Sequence, residues 1–258
     1  MRVCALASGS SGNSFYIEEG NSAVLVDAGL SAKQLIERMR EKKIDSSNLK
    51  GIFITHEHID HIRGADVLAR QLDIPLFATQ KTISNSSLSL SKSNLKEIPS
   101  KGSFSLGKLK ITAFPKSHSA SDPVSFLIQS RLNKKSVGVI TDLGYVCENV
   151  SEAVSKSDFL FLESNHDIKM LEQGPYLAWH KKWILSNEGH LSNTQAALCI
   201  LEHAKQDLGG IVLSHLSSVN NTPQVALKTF RNVLKERDSF SPMLKVSLKT
   251  EPTEFFEI

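Results

Sequence analysis

The segment Thr55-His56-Glu57-His58-Ile59-Asp60-His61-Ile62-Arg63-Gly64 sets what this chain can become. It reads H-x-H-x-D-H and places three imidazoles and a carboxylate within six residues. Neutral imidazole nitrogens and carboxylate oxygens are the donors that borderline divalent ions such as Zn²⁺ and Mn²⁺ accept. Immediately upstream, Lys50-Gly51-Ile52-Phe53-Ile54 reads as a short buried strand, so the donors emerge at a strand's C-terminal end. In extended backbone His56 and His58 project to the same side. Asp60 suits the N-cap of a helix beginning near Ile59 and Ile62 and continuing through Ala65, Val67, Leu68 and Leu72. That helix would turn Asp60 and His61 back over the same cavity. A histidine-rich surface turn has no need of this spacing; a metal-binding loop does.

A chain of 258 residues that is 40% hydrophobic can bury a large core, and neither a repeat nor a linker interrupts it. It is read as one domain, 1–258. The formal charge of +3 excludes a global basic field, although a local basic patch remains open. Three scattered cysteines, Cys4, Cys147 and Cys199, make no disulfide framework and suit a reducing compartment. The apolar run at the N-terminus is too short for a signal peptide, and no run is long enough to span a membrane. The expectation is a cytoplasmic protein with no membrane partner.

Along the chain one pattern recurs: a metal-ligand type directly after a short apolar strand. It occurs at Asp27, at His56–His61, at His118, at Asp142, at Glu163 and at His215. A sheet brings its strand ends to one edge, so these residues can converge. A two-metal site needs two histidine-rich triads and a shared carboxylate, with the ions about 3.5–4 Å apart. His56, His58 and His118 make one triad, Asp60, His61 and His215 the other, and Asp142 is the bridge. Strand pairs followed by a helix over 30–40, which Ser31 can cap, indicate mixed α/β rather than doubly wound order. Further helices are expected over 147–155, 194–204 and 223–237. The Ser-rich stretch 84–93 has the composition of an exposed flap, with a poor helix over 81–90 as the alternative. In the small-residue turn 8–14, Ser10 and Asn13 can let backbone N–H groups approach an anion. Lys182, beside Lys181, is a candidate phosphate contact. His166 is read as a pocket-wall residue, and His180 and His203 as structural or solvated.

Val26-Asp27-Ala28-Gly29, the H-x-H-x-D-H segment, His118, Asp142 and His215 resemble, in order, the five motifs of the metallo-β-lactamase superfamily. The resemblance implies a four-layer αββα sandwich, two mixed β-sheets flanked by helices, with a dinuclear centre at one sheet edge. It also makes Asp27 a residue that orients a ligand rather than a ligand itself. The segments 7–14, 163–167, 189–193 and 214–217 are similar to those of the YycJ/WalJ group, related to the tRNase Z branch. That implies a 5′–3′ DNA exonuclease holding two divalent ions, Zn or Mn, with nucleic acid as partner. In tRNase Z a histidine backed by a glutamate contacts the scissile phosphate, and His190, followed by Leu191 and Ser192, and Glu163 occupy the matching places. Asp60, His190 and Glu163 are therefore the expected catalytic residues, with His190 and Ser192 at the phosphate. One departure is Val219, where the group usually carries a glutamate. The alternative is a small-molecule hydrolase of the same fold, glyoxalase II-like, acting on a thioester, lactone or β-lactam. A closed structural zinc site would normally use four ligands, mostly cysteine, which this inventory does not match. The short interval between Asp142 and His215 leaves no room for a large cap domain, so an open cleft is expected. A homodimer is the commonest prior for assembly.

Overall fold

The computed structural model describes residues 1–89 and 94–258. The chain opens with an antiparallel meander, β1 (Arg2–Ala7), β2 (Ser14–Glu19) and β3 (Ser22–Val26). There follow α1 (Ala32–Glu41), β4 (Leu49–Phe53), α2 (Ile59–Ile62), α3 (Ala65–Leu72), β5 (Leu76–Ala78), α4 (Gln80–Ser84) and β6 (Leu95–Glu97). The second half begins with the meander β7 (Gly102–Leu106), β8 (Leu109–Pro115), β9 (Val124–Ser130) and β10 (Ser136–Ile140). It continues through α5 (Glu148–Lys156), β11 (Phe159–Glu163), α6 (Ile168–Gln173), α7 (Ala178–Ile184), α8 (Asn193–His203), β12 (Gly210–Ser214), α9 (Pro223–Leu234), β13 (Met243–Val246) and β14 (Phe256–Glu257). Among the described residues the strands form two sheets, in the orders β14-β1-β2-β3-β4-β5-β6 and β13-β12-β11-β10-β9-β8-β7.

Alternation within the strands builds the layers. Val3 and Ala5 of β1, Val24 and Val26 of β3, and Val137 and Val139 of β10 point into one shared core between the sheets. Their neighbours Cys4, Leu6, Ala23 and Leu25 face the other way, against Leu35, Met39 and Leu68 of α1 and α3. On the far side, Ile140, Leu160 and Leu162 pack on Val150, Ala197, Ile200 and Phe230 of α5, α8 and α9. Central strands are thus buried on both faces and read as continuous apolar runs. The result is the four-layer αββα sandwich.

Strand direction then fixes where the polar tips go. β3 and β4 are parallel, as are β10, β11 and β12. β8 is antiparallel to β9 and β9 to β10, so β8 shares the direction of β10. Asp27, Thr55, His118, Asp142, Glu163 and His215 therefore leave their strands at one edge of the sandwich.

Two local expectations are corrected. Asp60 is not an N-cap: α2 begins at Ile59 with His58 as its cap, and Asp60 lies inside the first turn. The Asp60 side chain is instead taken by Asn13, whose Nδ2 donates to it at 3.2 Å. Nor does one helix run from there to Leu72. Gly64 separates α2 from α3, because its N–H donates to the Ala28 carbonyl at 2.9 Å and a Cβ there would collide with the Leu30 carbonyl. In the Ser-rich stretch the helix is only α4, capped by Thr79 and ended by poor helix formers. Residues 85–89 of the expected helix are not helical, and residues 90–93 of the Ser-rich stretch lie outside the described residues. Among the described residues no helix is long and apolar enough to cross a membrane.

Candidate metal centre

The base of the site is a network under the H-x-H-x-D-H loop. Asp27 ends β3 with φ at 62°, left-handed for a non-glycine residue, and is fully buried. Its Oδ1 accepts from the Thr55 N–H at 2.8 Å, and its Oδ2 from His61 Nδ1 at 2.7 Å and Thr55 Oγ1 at 2.9 Å. Thr55 Oγ1 in turn lies 2.9 Å from His56 Nδ1. With its proton on Asp27, that hydroxyl accepts from His56. Across the cleft His118 Nδ1 donates to the Gly189 carbonyl at 3.2 Å, and His215 Nδ1 to Glu163 Oε1 at 3.0 Å. Four imidazoles thus spend Nδ1 on the surrounding shell, which selects the tautomer with a bare Nε2 turned inward. Asp142 and His215 also sit at left-handed φ, 58° and 55°. Backbone strain on the order of 1 kcal/mol at each persists only where the surroundings over-determine it.

The inward atoms meet in four overlapping groups, each with its donors within 4.8 Å of one another. His56, His58 and His118 form one; Asp60, His61 and His215 form the second; His56, His61 and Asp142 form the third; Asp142, Glu163, His190 and His215 form the last. His58 is reversed and presents Nδ1, 3.0 Å from His56 Nε2 and 3.4 Å from His118 Nε2. Asp142 spans the groups, with Oδ2 3.2 Å from His61 Nε2 and Oδ1 3.1 Å from His215 Nδ1.

Charge divides this cluster into two sides. Burial holds His56 well below its ordinary value, with His61 and Lys116 acting in the same sense. Burial also takes His118 down to about 3 against the pull of Asp142. On the carboxylate side burial is overridden: Asp142, Asp27 and Asp60 hold His61 well above its ordinary value. Asp142, Asp60 and Glu163 likewise raise His215 to about 10.

These residues fit divalent ions. Asp142 Oδ2 and His215 Nε2 are buried without a hydrogen-bond partner, a costly state that a cation relieves. Three imidazole nitrogens facing one another, none with a carboxylate between, pose the same demand. A cation can replace the protons that the carboxylate side otherwise retains.

The remaining predicted residues are placed as follows. His190 Nδ1 lies 2.9 Å from Glu163 Oε1, and Glu163 Oε2 accepts from the N–H groups of Leu143 and Leu191 at 2.8 and 2.9 Å. Burial raises the Glu163 carboxyl, but His190 and then His215 outweigh it and hold it at about 2. Ser192 is buried and caps α8 in a capping box with Gln195, so its hydroxyl is committed. Asn13 points inward, its Nδ2 3.2 Å from His61 Nε2, while Ser10 is exposed on the turn. Lys182 is exposed on α7. His166 is fully buried with neither ring nitrogen bonded, and burial lowers it to about 4.

Sequence reasoning passed over two residues. Thr55 links Asp27 to His56, and it is legible only as the residue preceding the first histidine. Lys116 is buried and its ammonium donates to the Thr141 carbonyl at 2.6 Å, directly before Asp142. Burial lowers it while Asp142, Asp27 and Glu163 pull it back. Its signal was a lysine at a strand end, two residues before His118.

Comparison with known proteins agrees with this geometry. Residues 22–215 match the family described as beta-lactamase superfamily domain. The chain is 35% identical to exodeoxyribonuclease YycJ of Bacillus anthracis over 245 residues, 92% of this chain and 90% of the relative. It is 39% identical to exodeoxyribonuclease WalJ of Streptococcus pneumoniae over 90% of this chain and 88% of the relative. Among solved structures, the metallo-β-lactamase fold protein YhfI from Bacillus subtilis superposes with a TM-score of 0.72 at 16% identity, covering 98% of both chains. The chain belongs to the metallo-β-lactamase superfamily, within its YycJ/WalJ group, and is a metal-dependent hydrolase.

Proposed function

We propose that this hydrolase is a two-metal phosphodiesterase that shortens DNA from the 5′ end. The observation that carries the reading is the Glu163–His190 pair, 2.9 Å apart and flush against Asp142 and His215. A small acyl or lactam substrate has no need of such a pair; a phosphodiester, whose leaving oxygen must be protonated, does. That two relatives matched over about nine-tenths of both chains are exodeoxyribonucleases supports the substrate class. The 5′-to-3′ polarity rests on the resemblance to the group.

His56, His58 and His118 would hold one ion, Asp60, His61 and His215 the other, and Asp142 would be shared. Zn²⁺ or Mn²⁺ bound there supplies charge that activates water near neutral pH and offsets charge on the phosphoryl oxygens. The remaining work belongs to the chain. Asp60, whose side chain is 17% exposed, faces the cleft and orients the attacking water. Asn13 fixes that carboxylate from behind. His190 keeps Nδ1 on Glu163 and offers Nε2 to the leaving oxygen, delivering its proton there. Glu163 stays ionised throughout, anchored by the backbone N–H groups of Asp142, Leu143 and Leu191. Lys182 supplies a charge for a neighbouring phosphate, whereas Ser10 and Ser192 contribute position more than contact. With Cys4, Cys147 and Cys199 all free, the reaction fits the reducing cytoplasm.

The test uses 5′- and 3′-labelled DNA and RNA, single-stranded and duplex, with Mn²⁺ and Zn²⁺ in parallel. Stepwise shortening of DNA from the 5′ end, absent in Asp142→Ala, is the expected result. Hydrolysis of a thioester or lactone with no cleavage of any nucleic acid would overturn the reading.

A further inference from the structure

The chain as a whole is nearly balanced, with 30 basic and 27 acidic residues, but one hollow on its surface is not. It lies between α9 and the turn leading into β13, with a volume of about 570 Å³. Four cations line it, Lys228, Arg231, Lys235 and Arg237, against one carboxylate, Asp238. Lys228, Arg231 and Lys235 are exposed, and their spacing of three and four residues sets them on one helical face. Among the described residues none of these three makes a salt bridge. The floor beneath them is apolar, formed by Leu234, Phe240 and Leu244. Two features hold the hollow in shape. Arg237 donates to the Ala204 carbonyl at 2.6 Å and to Gln206 Oε1 at 3.0 Å, and its guanidinium lies 4.4 Å from the Phe240 ring centre. Ser239, in the turn at its lip, keeps a left-handed φ of 56°, a conformation that costs a non-glycine residue on the order of 1 kcal/mol.

We propose that this hollow docks an acidic segment of a partner protein, with its carboxylates on the α9 cations and one bulky apolar side chain on the floor. Cations on a rim steer an acidic partner and fix its register, while an apolar anchor in the centre supplies the grip. Nucleic acid answers only half of this arrangement. Its phosphates match the charge, but its bases need an open aromatic face, and Arg237 already covers that of Phe240. The hollow also lies off the path to the metal centre. Met243 opens β13 beside Gly210 at the start of β12, whereas His215 follows the end of β12. Five residues of strand, about 15 Å, separate the two ends. A partner held there leaves the metal edge free.

The test measures fluorescence anisotropy of a labelled peptide of four aspartates ending in leucine and phenylalanine, added to the full chain. Saturable binding is expected, weakened roughly tenfold or more by the double charge reversal Lys228→Glu, Arg231→Glu and weakened by added salt. Both side chains are exposed, so the variant should fold, and an unchanged melting midpoint checks this. A peptide of aspartates alone should bind roughly tenfold less tightly, because the floor is then left empty. No binding, equal affinity in the charge-reversed variant, or equal affinity for the aspartate-only peptide overturns the proposal. So does a charge reversal that weakens binding of duplex DNA to Asp142→Ala protein by tenfold while the peptide does not bind; the hollow is then a phosphate-backbone surface. Sedimentation showing a dimer that the charge reversal dissociates, with no peptide binding, makes it a contact between copies of this chain and overturns it equally.

Discussion

Asp142 and Asp158 are both buried aspartates packed against β10, and they sit at its opposite ends. Asp158 closes the start of the strand. Its Oδ2 accepts from the Ser136 N–H at 2.8 Å and the Ser136 hydroxyl at 3.0 Å, and its Oδ1 from Lys135 at 3.0 Å and Lys205 at 2.6 Å. Asp142 lies two residues past the end of the same strand, with left-handed backbone and an Oδ2 that has no hydrogen-bond partner. One carboxylate is fully satisfied by the fold; the other is held open by it. Buried polar groups are almost always paired, so the exception is where a missing partner belongs. On the proposed reading, the contrast separates a carboxylate kept for stability from one kept for chemistry.

The largest effect should come from the open end. Asp142→Ala is expected to reduce nuclease activity below detection. In metal-free protein its melting midpoint should move little, because His61 and His215, which lose a counter-charge, can release their protons. Activity by labelled-end assay and thermal unfolding in chelator decide it, and a sharply destabilised variant would erase the contrast. Asp27→Asn should be milder. It disturbs His61 and Thr55 without removing a donor from the cluster, and weakening metal affinity by about 10–100-fold is the expected scale. Titration with buffered Zn²⁺ measures it, and wild-type affinity would mean that Asp27 orients nothing.

What was legible in the sequence was whatever local spacing encodes. The alternation of Val24 and Val26 with Ala23 and Leu25 specifies a strand, and a strand end specifies where Asp27 emerges. The same logic located His118, Asp142, Glu163 and His215, and sheet direction gathered them. The misses were tertiary. Asp60 has the chemistry of a cap, but Asn13, which lies 47 residues away in sequence, takes its carboxylate. Gly64 breaks a helix whose apolar periodicity continues, because Ala28 and Leu30 crowd its backbone. Lys116 looks like any surface lysine until β8 and β10 bury it beside Asp142. Nor does the spacing along α7 reveal that Trp183 abuts His190.

At the satisfied end of β10 the prediction inverts. Asp158→Ala should cost about 2 kcal/mol, since it strips the Ser136 N–H of its acceptor and removes the nearest counter-charge of Lys135 and Lys205. Turnover per folded molecule should match the wild type, because Asp158 lies at the far end of the strand from the cluster. Urea unfolding and activity per unit of folded protein test both halves. A loss of turnover with intact stability would put Asp158 in the chemistry and break the comparison.

The smallest and sharpest effect is in pH. Burial raises the Asp158 carboxyl, but the Lys205, Lys135 and Ser136 hydrogen bonds outweigh it and hold the group below the ordinary carboxylate range. An unfolded aspartate titrates near about 4, so between the two values the unfolded chain binds a proton that the folded chain refuses. The stabilisation from Asp158 is therefore complete above that range and is lost as pH falls through the folded value. Asp158→Asn cannot titrate. The gap in unfolding free energy between wild type and Asp158→Asn should stay constant from neutral pH down to about 5 and narrow below about 4. A gap that widens in acid would mean the folded carboxyl is raised rather than lowered. Asp158 would then be the strained carboxylate, and the distinction between the two ends of β10 would fail.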